Sequence, residues 1–201
     1  MKKILLLSAI VLLVVSCGEN KTTDDFGGGK LSAVEKTSAQ IAGNIERLIA
    51  NDSTKSRSFA VRKDKSVIEY KGSDPLPDDV EETCTLTTDL KGKPLRITVT
   101  PVIDSDAWYV ENYYYFNVSG NTVLYRFYLA SFESGCTEVL REYKDFYFDD
   151  NFNQTGRQEY YKDKDMKPFT PKDCKNDFSY VTNYEGMNNF TSIAAKYGIK
   201  L

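Results

Sequence analysis

The chain has no histidine among its 201 residues. That absence removes the imidazole base of Ser-His-Asp and Cys-His catalysis and the nitrogen ligand most used for zinc or haem. Carboxylates remain for acid–base work. Asp104 and Asp106 precede Trp108, and Glu133 falls near the far end of a neighbouring predicted strand. A glycan hydrolase of the carboxylate type needs two such acids facing each other across a cleft, roughly 5 to 10 Å apart. With 29 acidic residues scattered along the chain, such neighbours also arise by chance. Asp149-Asp150-Asn151-Phe152-Asn153 has the alternating oxygens of a calcium loop, but Gln154 stands where the sharp-turn Gly belongs and Tyr160 replaces the bidentate acid. A hairpin turn accounts for the same residues. Gly27-Gly28-Gly29 has no preceding strand and no following Lys-Ser/Thr, so it is not a phosphate loop. No catalytic residue, metal or cofactor is assigned.

Aromatic residues are the other chemistry-bearing group, with 14 Tyr and 11 Phe. They cluster at Tyr113-Tyr114-Tyr115-Phe116, at Tyr125, Phe127 and Tyr128, and at Phe146-Tyr147-Phe148. Successive strand residues point to opposite faces, so unbroken runs put rings on both sides of a sheet. One side forms core; the other is either covered by helices or displayed as a ligand platform. Trp108, Tyr113, Tyr115, Tyr125 and Tyr128 are the candidates for such a platform, facing a protein, peptide or glycan. A net charge of -3 excludes a phosphate-tracking nucleic-acid binder.

Met1-Lys2-Lys3 is a basic start, and residues 4–15 are apolar apart from Ser8. About 20 apolar residues are needed to span a bilayer, so this run has the length of a signal-peptide core instead. Val14-Val15-Ser16-Cys17 resembles a bacterial lipobox: a branched aliphatic, a tolerated β-branched residue, a small residue, then the thiol that accepts diacylglycerol. The resemblance covers residues 1–17. It implies a signal peptide over residues 1–16, cleavage before Cys17, acylation of Cys17 and a membrane as partner. An ordinary secretory signal with a chance Cys is the alternative. Gly18, rather than Asp, agrees with sorting to the outer membrane of a Gram-negative envelope, on its periplasmic or surface face. Residues 17–30, including Asp24-Asp25 and the three glycines, read as lipidated Cys plus flexible tether.

With Cys17 given to lipid, three Cys remain. Cys84 lies on an inward strand face and reads as a buried thiol. Cys136 follows a turn and Cys174 lies in the loop Pro171-Lys172-Asp173-Cys174, so they are the pair placed for a disulfide, with free thiols as the alternative. Asn-x-Ser/Thr sequons at Asn20, Asn51, Asn117, Asn153 and Asn189 read as chance in an Asn-rich chain.

These groups must be positioned by residues 31–201, expected to be one α+β domain. Leu31, Val34, Ser38, Ile41, Ile45 and Leu48 form a helical stripe, and Ser32 with Glu35 fits a capping box. The period then changes to two. Ser58 to Val61, Ser66 to Tyr70, Val80 to Leu86, and Leu95, Ile97 and Val99 read as strands. Trp108 to Val118, Val123 to Phe132 and Gln158 to Tyr161 follow. Glu138 to Phe148 is read as strand, with a helix over residues 136–148 as the alternative. Short turns make this an antiparallel meander. Phe190, Ile193, Ala194 and Tyr197, closed by Gly198, predict a short C-terminal helix. The element order resembles cystatin-like helix-then-meander folds in outline. The function expected is a non-catalytic envelope binding module; a carboxylate hydrolase, or a structural or inhibitor protein, are the alternatives.

Overall fold

The computed structural model describes residues 31–71, 74–104, 106–172, 174 and 187–200; the signal segment, Cys17 and the tether lie outside them. Ser32 caps α1 (Ala33–Ala50): its hydroxyl accepts from the Glu35 amide, and the Glu35 carboxylate accepts from the Ser32 amide at 2.5 Å. Two of the otherwise orphaned first-turn donors are thereby satisfied. The helix buries Ser38, Ala42 and Ile45, whereas Val34 and Leu48 of the expected stripe are exposed. The contact line is rotated because α1 rests on Tyr115, Leu124 and Tyr147, and large rings need Ala42 opposite them.

Nine antiparallel strands follow: β1 (Thr54–Arg62), β2 (Val67–Tyr70), β3 (Val80–Asp89), β4 (Pro94–Pro101), β5 (Trp108–Phe116), β6 (Thr122–Ser131), β7 (Leu140–Phe148), β8 (Gln154–Lys162) and β9 (Pro168–Phe169). Their order is β2-β1-β3-β4-β5-β6-β7-β8-β9. The fold is therefore α+β, a meander from β3 onward. At its start the chain doubles back as the β1–β2 hairpin and then lays β3 on the other side of β1. Residues 140–148 are strand, not helix.

One turn design recurs four times. The Oδ1 of Asp89 accepts from the amides of Lys91 and Lys93 at 2.9 and 2.8 Å. Asn117 does the same for Ser119 and Asn121, Asp149 for Asn151 and Asn153, and Asp163 for Asp165 and Lys167. Each turn places its fourth residue at positive φ: Gly92, Gly120, Phe152 and Met166. Phe152 and Met166 hold that left-handed conformation without being glycine, and Phe152 is further supported by stacking on Phe148 at 4.4 Å. In the first three turns the register slips two residues after the left-handed position has closed, leaving Leu95, Val123 and Thr155 as unpaired bulge residues. The bulge corrects the simple alternation expected for β4: Ile97 and Val99 join one face, while Leu95 is turned onto the other, beside α1. In the oxygen-rich stretch the Asp149 carboxylate accepts from the Asn151 and Asn153 amides and the Asn153 side chain of its own turn.

The larger core lies on the face away from α1. Phe59, Cys84, Leu86, Ile97, Val99, Val110, Tyr114, Tyr125, Phe127 and Leu129 pack there beneath Met187, Phe190, Ile193, Tyr197 and Ile199. These last residues belong to α2 (Phe190–Lys196) and its flanks, with Asn189 as N-cap and Gly198 at φ 59° just past the end. The segment is stitched down at both ends: Thr122 Oγ1 donates to the Met187 carbonyl at 3.0 Å, and Tyr197 OH to Glu82 at 2.7 Å.

Asp149 illustrates how the turns respond to acid. Its carboxyl is held below the usual carboxylate value of 3.8, first by the Asn153 side chain and then by the Asn153 backbone amide. A depressed carboxylate contributes stability above its unfolded value and loses it as pH falls through the folded one. A carboxamide in the same place accepts but does not titrate, and should keep the turn as Asn117 does. In Asp149→Asn, amide exchange at Asn151 and Asn153 should therefore lose the increase that the native chain shows on acidification below pH 3.8; an unchanged acid response would contradict this role.

Candidate functional site

Strand parity divides the five expected platform rings. Trp108 and Tyr125 point into the α2 side, and Tyr125 is 1% exposed. Tyr113, Tyr115 and Tyr128 point to the α1 side, where Tyr115 is 1% exposed beneath the helix. The five do not make one surface. The reason is positional: Tyr114 faces Tyr125 across β5 and β6, whereas Tyr113 and Tyr115 face Arg126 and Leu124.

What the α1 side does bring together is a different row of rings. α1 packs on the turn-proximal half of this face, and the other half carries Tyr109, Tyr128, Tyr143 and Tyr160 across β5 to β8. Tyr128, Tyr143 and Tyr160 are direct cross-strand partners. Their centroids are 4.9 and 4.8 Å apart, and Tyr143 and Tyr160 are parallel to within 5°. Tyr109 meets Tyr128 edge-on at 5.7 Å, with their hydroxyls 3.2 Å apart. Tyr128 and Tyr160 are each 7% exposed and Tyr143 is half-buried, so stacking hides their faces and Tyr109 is the accessible ring of the row. At its end the exposed Tyr109 stacks on the exposed Phe132 at 6.1 Å.

A buried ion pair holds the row. Arg126 and Asp145 are directly opposite on β6 and β7 and bond through two 2.7 Å contacts, with side chains 19% and 2% exposed. Burial opposes the Arg126 charge, and the Asp145 carboxylate more than offsets it. The guanidinium lies 5.9 Å from the Tyr115 ring and 5.7 Å from that of Tyr143. Lys162 lies over Tyr143 and Tyr160 at 5.6 and 5.9 Å. Burial, then the Arg126 charge, lowers its pKa.

Beside the rings, on β1, β3 and β4, the same face carries hydroxyls. Ser58 and Thr85 meet at 3.4 Å, Thr83 donates to the Thr100 carbonyl, and the buried Thr98 Oγ1 has no hydrogen-bond partner among the described residues. Arg96 and Tyr115 both donate to Glu46 of α1, at 2.6 and 2.5 Å, closing the boundary between helix and open face.

The remaining sequence candidates fall elsewhere. Asp104, Asp106 and Glu133 are exposed on loops at the end of the sheet opposite the three bulged turns. Cys136 and Cys174 form a disulfide with Cα atoms 5.0 Å apart. Cys84 is fully buried, and burial pushes its thiol up to about 12, which leaves it protonated and unreactive. Among the described residues no group of three or more Cys, Asp and Glu side chains is arranged for a metal.

No family model, curated protein or solved structure matches the chain.

Tyr109, Tyr143, Tyr160, Arg126 and Asp145 are not among the residues the sequence marks as candidates, yet a signal exists. Tyr128 and Tyr160 stand at the same distance beyond Asn117 and Asp149, the first residues of two equivalent turns. Aligning the hairpins on their turns puts both tyrosines on one face.

Two outcomes follow. Asp145→Ala leaves a buried guanidinium unpaired and should cost about 3–5 kcal/mol in denaturant unfolding; a loss near zero would show that the pair does not hold the row. Burial raises the Tyr128, Tyr143 and Tyr160 pKa values above 10. The stability carried by neutral phenols is thus present below pH 10 and lost as pH rises beyond it. Phenolate absorbance of the folded chain at about pH 10 to 11 should lag that of the urea-unfolded chain.

Proposed function

We propose that this chain is a cell-envelope lipoprotein, held in the outer membrane through acylated Cys17, whose domain is a non-catalytic binding module for a protein, peptide or glycan. The anchor rests on the lipobox residues Val14-Val15-Ser16-Cys17 and the polar tether behind them. A singly acylated chain binds membranes only marginally, and several acyl chains on one Cys give lasting attachment. The binding role rests on one observation: half of the α1-side face pairs a tyrosine row with a field of Ser and Thr hydroxyls, rimmed by exposed Tyr109 and Phe132. Such a face offers many weak hydrogen bonds and apolar edges over an extended area. That suits an elongated polar ligand better than a small molecule, which needs an enclosed cavity. Two open depressions, of about 340 and 380 Å³, lie at the Gly120–Phe190 contact and beside β9, the second reaching Tyr160 and Lys162 at the end of the row.

The test has two arms. Cys17→Ser should move the protein from the membrane to the soluble fraction of fractionated cells and abolish lipid labelling; retention on the membrane removes the anchor. The full chain, purified in detergent, should bind members of an array of envelope glycans and peptides. Tyr109→Ala, at the exposed end of the row, should weaken that binding about tenfold without lowering the melting temperature. No binding to either class, or binding indifferent to Tyr109→Ala, removes the binding role.

A further inference from the structure

Beside the tyrosine row two like charges face each other. On the α1 side Tyr109, Ala130, Arg141 and Lys162 stand directly opposite one another across β5, β6, β7 and β8. Arg141 and Lys162 are therefore cross-strand neighbours, both half-buried, and like charges in that position destabilise a sheet. The carboxylates nearby are engaged with other groups. Asp145 holds Arg126, Asp163 accepts from the Asp165 and Lys167 amides, and Glu138 pairs with Lys164 at 2.9 Å. Glu111 accepts from the Tyr113 hydroxyl. Among the described residues the Arg141 guanidinium has one hydrogen bond, from Nη1 to the Asp163 carbonyl at 2.6 Å, and no carboxylate partner. A guanidinium carries five donors, so most of those on Arg141 remain for an acceptor from outside.

An anionic group laid on this pair relieves the repulsion. A carboxylate matches the guanidinium fork with two parallel hydrogen bonds, and the Lys162 ammonium stands beside it. The place is open to solvent: Lys162 borders the depression beside β9, and Tyr109, 39% exposed, stands at the other end of the same line. With strands about 4.8 Å apart, the line from Tyr109 to Lys162 extends about 14 Å. A peptide added to a sheet pairs its main chain with an open strand. Here β7 lies between β6 and β8, and Lys162 is paired with both Arg141 and Pro168, so no strand backbone is on offer. What the surface offers is a cation pair, a ring and the Tyr109 hydroxyl. From this juxtaposition we propose that the ligand is an acidic glycan, with a carboxylate held between Arg141 and Lys162 and a neighbouring sugar against Tyr109. This rests on the binding role proposed above and names the ligand class of that face.

Calorimetric titration of the full chain in detergent tests this with three probes of matched length. Oligogalacturonate carries sugar and charge, its methyl ester the sugar without the charge, and oligoglutamate the charge without the sugar. The native chain should bind oligogalacturonate about tenfold or more tightly than either of the others. Arg141→Gln and Lys162→Gln should each weaken that binding about tenfold, and Arg141→Lys should weaken it less than Arg141→Gln. Lys164→Gln, which removes a cation already paired with Glu138, should leave it unchanged. Oligogalacturonate should raise the melting temperature of the native chain but not that of Arg141→Gln. Native circular dichroism in every variant excludes misfolding as the cause. Equal binding of acid and ester, indifference to both Gln variants, or no binding of any probe overturns the proposal. Tighter binding of oligoglutamate overturns it in favour of an acidic peptide. Its failure is separable from that of the binding role: a neutral ligand weakened by Tyr109→Ala but indifferent to Arg141→Gln keeps the role and removes the anion site.

Discussion

A sheet whose central strands carry rings on both faces must be covered twice. β5 alone sends Tyr114 and Phe116 to one side and Tyr113 and Tyr115 to the other. Each buried aromatic side chain removes about 150–250 Å² from water, so neither side can be left bare across the whole sheet. Most of the remaining architecture answers this demand. The C-terminal segment covers the larger face, where Ile193 and Tyr197 are almost wholly buried. α1 covers the other only as far as Tyr115, Leu124 and Tyr147, and Glu46 ties its far side to Arg96. Beyond α1 the rings cover each other. Tyr128, Tyr143 and Tyr160 stack on one another around the Arg126–Asp145 pair.

That division explains how far the residues could be read directly. α1 and α2 were legible because caps and a 3.6-residue period are local signals: Ser32 with Glu35, and Asn189 with Gly198. Strands were legible from alternation, and the α+β class follows from both. Pairing was less so. β3 lies beside β1 rather than β2, and nothing within residues 54–89 dictates that order. The facing of Leu95 depends on a bulge, which breaks period two at one residue and is created by the turn before it. The expected platform failed to assemble for the same reason: the side to which a ring points is set by counting from a turn, not by its neighbours in sequence. Asp149 and its oxygen-rich neighbours show the converse, since residues typical of ion binding were serving backbone amides.

The recurring turn therefore carries more information than any strand. Asp89, Asn117, Asp149 and Asp163 each organise the same five-residue loop, although the strands between them share little composition and the spacing is irregular. Three of the four are followed by a bulge at the same position. Bulges increase local twist, and these three lie along one end of the sheet. On the half of the α1 side beyond the helix Tyr143, Lys162 and Arg126 are only partly exposed, and among the described residues no helix lies over them.

The C-terminal cover has a consequence for synthesis. Met187 to Ile199 contribute the lid of the larger core, and they follow every strand that they shield. Whether the polypeptide emerges from a ribosome or is threaded through a membrane pore, it leads with its N-terminus. Strands β1 to β9 are then outside while the piece that shields Phe59, Ile97 and Phe127 is still inside the machinery. The domain cannot reach its final packing before that piece has emerged, and during the interval its most apolar surface stands open to chaperones or to other nascent chains.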